Sequence, residues 1–221
     1  MAQRTDSSAA VVLPEELRRS ILDALLKGGR PPDMTYEEFL DWAGEDSRTE
    51  WVRGEVIMNS PAGLEHQQIV QFLSSVLTAY AQVHHAGEVL VAPFQMKLVD
   101  VGREPDVLFV AAAHMDRLNP SYLQGPADVV VEVMSKESAG RDRGDKFYEY
   151  ECGGVREYWL IDPGRKEVEF YELDERGHYR ASPVDAEGVY HSRVLPGFRL
   201  KVDWLWQRPP MLVACRELGL I

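Results

Sequence analysis

Cysteine is scarce in this chain: Cys152 and Cys215 are the only two among 221 residues. Two cysteines so far apart give no disulfide framework and no zinc pattern, and they point to a reducing compartment. Positive charge is also short, with 24 Lys and Arg against 36 Asp and Glu and a net charge of −12. Bulk charge therefore does not hold this chain to nucleic acid, although a nuclease with an acidic metal site and a small basic patch passes that test. No apolar run reaches the ~20 residues of a membrane span. The opening MAQRTDSSAA lacks the apolar core of a secretory signal. There is no glycine-rich phosphate loop, no GxGxxG, no internal repeat and no low-complexity tract. The expectation is a soluble cytoplasmic protein that does not contact a membrane.

What is present suffices for a core, at 45% hydrophobic and 10% aromatic residues. The length suits one domain with an extension. Residues 1–30 read as the extension, with an appended helix over Pro14–Lys27 carrying Leu17, Ile21, Leu22, Leu25 and Leu26. Residues 31–221 read as a single domain. Thr35-Tyr-Glu-Glu38 has the form of a capping box ahead of a short helix. Trp51–Asn59 predicts strand structure with a turn at Gly54. Glu65–His84 repeats Ile69, Phe72, Leu73, Val76, Leu77 and Tyr80 at helical spacing, with Gly87 as the stop. Strands follow at 88–92, 94–99 and 105–110, then a loop over 119–126.

The stretch Ala127–Cys152 organises the rest. Val129, Val130, Val131 and Val133 make a strand covered on both faces, interrupted by Glu132. An ionised carboxylate there costs several kcal/mol, in order of magnitude about 3–5, unless it is paired, hydrogen-bonded or on a metal. One helix over 141–152 follows, then the strand Glu157–Ile161, so a parallel pair joined by a helical crossover is expected. Glu167–Leu173 reads as the outgoing arm of a hairpin, with weaker strands near Tyr179 and Val189. The class is mixed α/β (α+β), a sheet with helices on its faces.

Alternation puts Asp106, Leu108 and Val110 on one strand face, and Val130, Glu132 and Met134 on one face of the other. Asp142, Lys146 and Glu149 share a helix side. If the two strands are neighbours, Asp106 and Glu132 meet and the helix delivers Lys146 beside them. Two carboxylates with room for water suit Mg2+ or Mn2+, and an ammonium beside them suits a phosphate. Glu132 paired with a cation as a structural bridge, and Lys146 as an ordinary exposed lysine, are the bland alternatives. Lys136, Arg141 and Arg143 are either phosphate contacts or a solvated turn. Trp204 and Trp206 read as packing residues.

The motifs MTYEEFL (34–40), RGEVIMNSPAGLEHQQIV (53–70), EPDVLFV (104–110), VVVEVMS (129–135) and RDRGDKFYEYECGGVREYWLIDP (141–163) together resemble the Uma2 family, also called DUF820, of endonucleases in the PD-(D/E)XK superfamily. The resemblance spans about residues 34–175. It implies a restriction-endonuclease-like core, a central mixed sheet flanked by helices. It implies Asp106 and Glu132 as metal carboxylates, with the Val133 carbonyl beside them. Met134 stands where the superfamily pattern has lysine, and Lys146 on the next helix is the residue that matches instead. Glu55 and His66 match recurring positions of the N-terminal half. Apart from the resemblance, Asp142 and Asp145 read as supports of Lys146 or of the helix N-terminus and not as metal ligands. The implied activity is Mg2+-dependent hydrolysis of DNA. A homodimer is expected because the N-terminal helix and the aromatic tail need cover and because cutting both strands suits a pair of sites. The alternatives are a nuclease-like domain that binds or assembles without turnover, and a small-molecule or RNA metallohydrolase.

Overall fold

The computed structural model describes residues 34–43, 49–59, 61–135 and 138–221. The expected helix of the extension lies outside the described residues, as does Lys136. Thr35 and Glu38 form the capping box: the Thr35 N–H donates to Glu38 Oε2 at 2.8 Å and the Glu38 N–H to Thr35 Oγ1 at 3.2 Å. They start α1 (Tyr36–Ala43). Strands β1 (Thr49–Val52) and β2 (Glu55–Met58) pair antiparallel around Arg53 and Gly54. Both turn residues have positive φ, 50° and 89°, as a tight two-residue hairpin requires.

Helix α2 (Leu64–His84) buries the whole expected stripe from Ile69 to Tyr80. It ends at His85, which takes the left-handed conformation, and not at Gly87. Gly87 instead opens β3 (Gly87–Val91), where a Cβ would lie 2.0 Å from the Val110 carbonyl oxygen. Its small size serves strand approach and not the helix end. There follow β4 (Gln95–Lys97), β5 (Val101–Arg103), β6 (Val107–Ala111), a 3-10 segment (Ala112–Arg117) and β7 (Tyr122–Gln124). β5 had no signal in the sequence pattern, and β7 lies inside the expected loop of 119–126. Then come β8 (Val129–Val133), α3 (Ala139–Arg143), α4 (Asp145–Gly153), β9 (Glu157–Asp162) and β10 (Glu167–Leu173). Short elements close the chain: β11 (Tyr179–Ala181), β12 (Val189–His191), β13 (Arg199–Lys201), α5 (Trp204–Gln207) and α6 (Met211–Glu217).

The expected helix over 141–152 is two helices. Gly144 breaks it with φ −110° and ψ −90°. A Cβ at Gly144 would stand 2.9 Å from the Gly140 carbonyl oxygen, so only glycine fits that break without a backbone shift.

One sheet has the order β2-β1-β5-β4-β7 and a second the order β11-β10-β9-β8-β6-β3. In the second, β8 and β9 are parallel and the other pairs antiparallel, which is the expected crossover. Its valine strand divides as the alternation requires. Val129, Val131 and Val133 pack with α2, while Val130 and Met134 share a cluster with Met96 and Leu123 of the first sheet, Leu98 just beyond β4, and Tyr150 of α4. Trp204 packs edge-on against Phe72 at 6.4 Å, so the aromatic tail is core. No helix among the described residues is long and apolar enough to cross a membrane.

Candidate active site

β6 and β8 pair antiparallel with Val107 opposite Val131. One step further along each strand puts Asp106 opposite Glu132, at the end of the ladder. Asp106 Oδ2 accepts the Val133 N–H at 2.7 Å and lies 3.1 Å from His66 Nε2 on α2. Glu132 Oε1 accepts from Lys146 Nζ at 2.9 Å and from the Tyr150 hydroxyl at 2.7 Å. Both donors come from α4, one helical turn apart. Lys146 is buried, and Asp142 Oδ1 lies 3.5 Å from its ammonium.

A fourth carboxylate, one that the sequence pattern does not mark, completes the cluster. Glu50 on β1 is fully buried and lies 3.1 Å from Lys146 Nζ. It also accepts from Arg103 Nη1 at 2.9 Å and from the Glu104 N–H at 3.3 Å. Arg103 in turn holds Glu149 through Nε and Nη2 at 2.7 and 3.0 Å. Glu149 therefore faces Arg103, whereas Asp142 and Lys146 face the carboxylates. Glu55, the hairpin acid singled out from sequence, does not line the cavity at this site. The only trace of Glu50 and Arg103 in the sequence is charge inside short strand-like stretches, which exposed strands also carry.

The electrostatics follow from the crowding. Burial, opposed by Lys146 and reinforced by Asp142, Asp106 and Glu50, pushes the Glu132 carboxyl up to about 8. Asp142 is also raised, by burial first. Glu50 is held below the ordinary range despite its burial, because Lys146 and Arg103 favour its ionised form. Lys146 is raised although burial works against its charge, because Glu132, Glu50 and Asp142 surround it. The cluster thus favours the charged forms of Lys146 and Glu50, while Glu132 is pushed toward its protonated form, by burial first and by its neighbouring carboxylates after that.

A cavity of about 90 Å³ opens on this cluster, with His66, Asp106, Glu132, Val133, Arg141 and Lys146 in its wall. A larger cavity, about 470 Å³, lies beyond Arg103 and Glu149 against Val52, Ile57, Leu98 and Val101. Titratable groups and unpartnered polar atoms converge on the smaller one, which makes it the candidate site. Of the three basic residues read from the turn, Arg141 lines the cavity. Arg143 is turned outward onto Glu169 at 2.7 Å and Asp162 at 3.7 Å.

The residues fit a hard cation. Among the described residues, Asp106 Oδ1 and Glu132 Oε2 have no hydrogen-bond partner, so each carboxylate keeps one oxygen for a further ligand. No group of three or more His, Cys, Asp or Glu among the described residues converges into a closed cage. A site of two carboxylates completed by water matches the habit of magnesium, which sheds its waters reluctantly. A cation there supplies the charge that the Glu132 proton otherwise supplies.

The family model Uma2, described as "Putative restriction endonuclease", matches residues 36–203. Among solved structures, the chain is similar to a crystal structure described as "a putative nuclease belonging to DUF820" from Anabaena variabilis. That match has a TM-score of 0.67 and 17% identity, and it covers 79% of this chain and 98% of that one. At that identity the likeness is one of fold, a nuclease fold of mixed sheets flanked by helices. No curated protein sequence matches the chain.

Proposed function

The chain belongs to the Uma2 family, and we propose that it is a magnesium-dependent endonuclease that hydrolyses phosphodiester bonds of DNA. The observation that carries this reading is the buried Lys146–Glu132 contact of 2.9 Å beside Asp106, in a cluster with more carboxylates than cations. Asp106 and Glu132 would hold the metal through Oδ1 and Oε2, with the Val133 carbonyl beside them. When bound, the metal polarises a phosphate oxygen and lowers the pKa of a water.

The protein's own groups do the rest. The Val133 N–H and His66 fix the Asp106 carboxylate, leaving its other oxygen toward the cavity. Lys146 brings a full positive charge to where negative charge develops on the phosphate, and Glu50 and Asp142 keep that ammonium in place. Water adds to phosphorus, the bond to the leaving nucleoside oxygen breaks, and the water proton passes to solvent or to that oxygen. Met134, at the superfamily's lysine position, is buried in the core, and Lys146 reaches Glu132 from the next helix in its stead.

The competing reading is a nuclease-like domain that binds without turnover, motivated by the net charge of −12. Purified chain incubated with duplex DNA, single-stranded DNA or RNA, with magnesium or with chelator, separates the readings. Cleavage of DNA that chelator stops is the expected result. Cleavage of RNA alone changes the substrate, and no cleavage of any of the three removes the enzymatic proposal. Cutting both strands of a duplex favours a pair of sites, so a homodimer in a reducing cytoplasm is part of the proposal. A monomer by light scattering would remove that part.

A further inference from the structure

Two nitrogen atoms in the wall of the small cavity are buried and have no hydrogen-bond partner: Arg141 Nε and His66 Nδ1. A guanidinium is always charged and only donates, so a buried Arg141 Nε–H is incomplete until an acceptor arrives. The other arginines nearby are not in that condition. Arg103 is saturated by Glu50 and Glu149, and Arg143 by Glu169. Arg141 has no carboxylate partner among the described residues, in a chain where acids outnumber bases.

The position of Arg141 is fixed from below. The Tyr158 hydroxyl donates to the Asp142 carbonyl oxygen at 3.0 Å, and Ser135 and Ser138 tie the preceding turn through mutual hydroxyl and N–H contacts of 2.9–3.3 Å. Neighbours two apart on a helix face different ways, which is why Arg143 leaves the site when Arg141 enters it. His66 divides the work differently. Its Nε2 is engaged with Asp106 at 3.1 Å, and only its Nδ1 is left without a partner. The guanidinium, which can only donate, is the group suited to a phosphate oxygen.

From this we infer that Arg141 is the phosphate-binding residue of the site, taking a non-bridging oxygen of a nucleic-acid phosphodiester opposite Asp106 and Glu132. The naming of the ligand rests on the nuclease reading, and the test does not use cleavage. The full chain is titrated with a labelled DNA duplex by fluorescence anisotropy, in chelator, over a series of salt concentrations. Arg141→Met is expected to weaken binding about tenfold at low salt and to lower the log–log salt slope by about 1, one phosphate contact's worth. Arg141→Lys keeps the point charge and recovers part of both. Arg143→Ala leaves both unchanged, and melting temperatures within a few degrees of the parent show that the fold is kept.

Equal affinity and slope in Arg141→Met overturns the inference, and so does a parent chain that binds no duplex. Displacement of the duplex by inorganic phosphate at equal phosphate concentration overturns the nucleic-acid assignment and leaves a small-anion site. Arg141-dependent binding by a chain that cuts nothing with magnesium keeps the inference and removes the nuclease proposal. Cleavage with Arg141-independent binding does the reverse.

Discussion

Glu132 and Glu157 sit on neighbouring strands of one sheet, and both are all but removed from solvent, yet they are held in opposite ways. Glu157 accepts only from neutral donors: Trp159 Nε1 at 3.0 Å, Ser192 Oγ at 3.0 Å, and the N–H groups of Arg193 and Val194 at 2.7 and 2.9 Å. It pins the chain after β12 to the sheet, and both its oxygens are used. Glu132 is held by an ammonium and a phenol on one oxygen, with three more carboxylates close enough to oppose its charge. A buried acid ringed by N–H and O–H donors is a structural clamp. A buried acid crowded by other acids, with an oxygen to spare, has a place for a cation beyond the ammonium it already holds.

Substitutions test that contrast, and the largest effect belongs to Glu132. Glu132→Gln keeps the shape and removes the charge. It is expected to lower magnesium-dependent cleavage about a thousandfold or more, the several kcal/mol that a bound metal supplies to a transition state. The fold should survive, and its pH response should change in a defined direction. Glu132 binds its proton more tightly folded than unfolded, because its pKa rises from 4.5 to about 8. Its contribution to stability is thus full below about pH 4.5 and is lost as pH rises toward 8. Urea midpoints measured in chelator should therefore fall between those limits more steeply for the parent than for Glu132→Gln. Parallel curves would contradict the crowding argument.

Glu157→Ala is expected to act on the other observable. It leaves two buried and two half-buried donors without their acceptor and should lower unfolding stability by about 2–4 kcal/mol. The kcat of the molecules that remain folded should be unchanged. A urea titration and a rate corrected for folded fraction check both halves, and a large loss of kcat would erase the distinction drawn between the two glutamates.

The smallest expected effect is at Glu50, which touches the lysine and not the carboxylate oxygens that the proposal assigns to a metal. Glu50→Gln should slow cleavage about 10- to 100-fold, the range typical of residues that orient a ligand-bearing group. Magnesium affinity by calorimetry should stay within about threefold, well inside that orienting effect. Loss of metal binding of the same size as the loss of rate would move Glu50 from a positioning role into the metal site itself.

The contrast also marks how far sequence reaches. A carboxylate inside a valine run is visible because it violates the composition of its own strand, and the two-residue period locates its opposite number, Asp106. Lys146 is legible through the motif at 141–163, whereas the helical spacing from Asp142 crosses the break at Gly144. Glu50 and Arg103 are not, because the strands carrying them span four and three residues and show no period to violate. The choice of Glu50 over Glu55 depends on how the hairpin meets β5, a pairing of distant segments. Arg141 and Arg143 are equivalent by composition, and only the direction of a five-residue helix tells them apart. The split at Gly144 was hidden for a similar reason: glycine is tolerated inside many helices, and what excludes a Cβ here is a clash with Gly140.

The distance along the chain between Glu50 and Lys146 carries a consequence for biosynthesis. The two are roughly a hundred residues apart, and contacts of such long range form late because loop closure must precede them. Until β1, β5, β8 and α4 have come together, the acids and cations of the cluster are scattered and separately hydrated. A ribosome-bound or partly folded chain therefore carries the residues of the cluster without their arrangement. Under the nuclease proposal, cutting activity would report a finished fold.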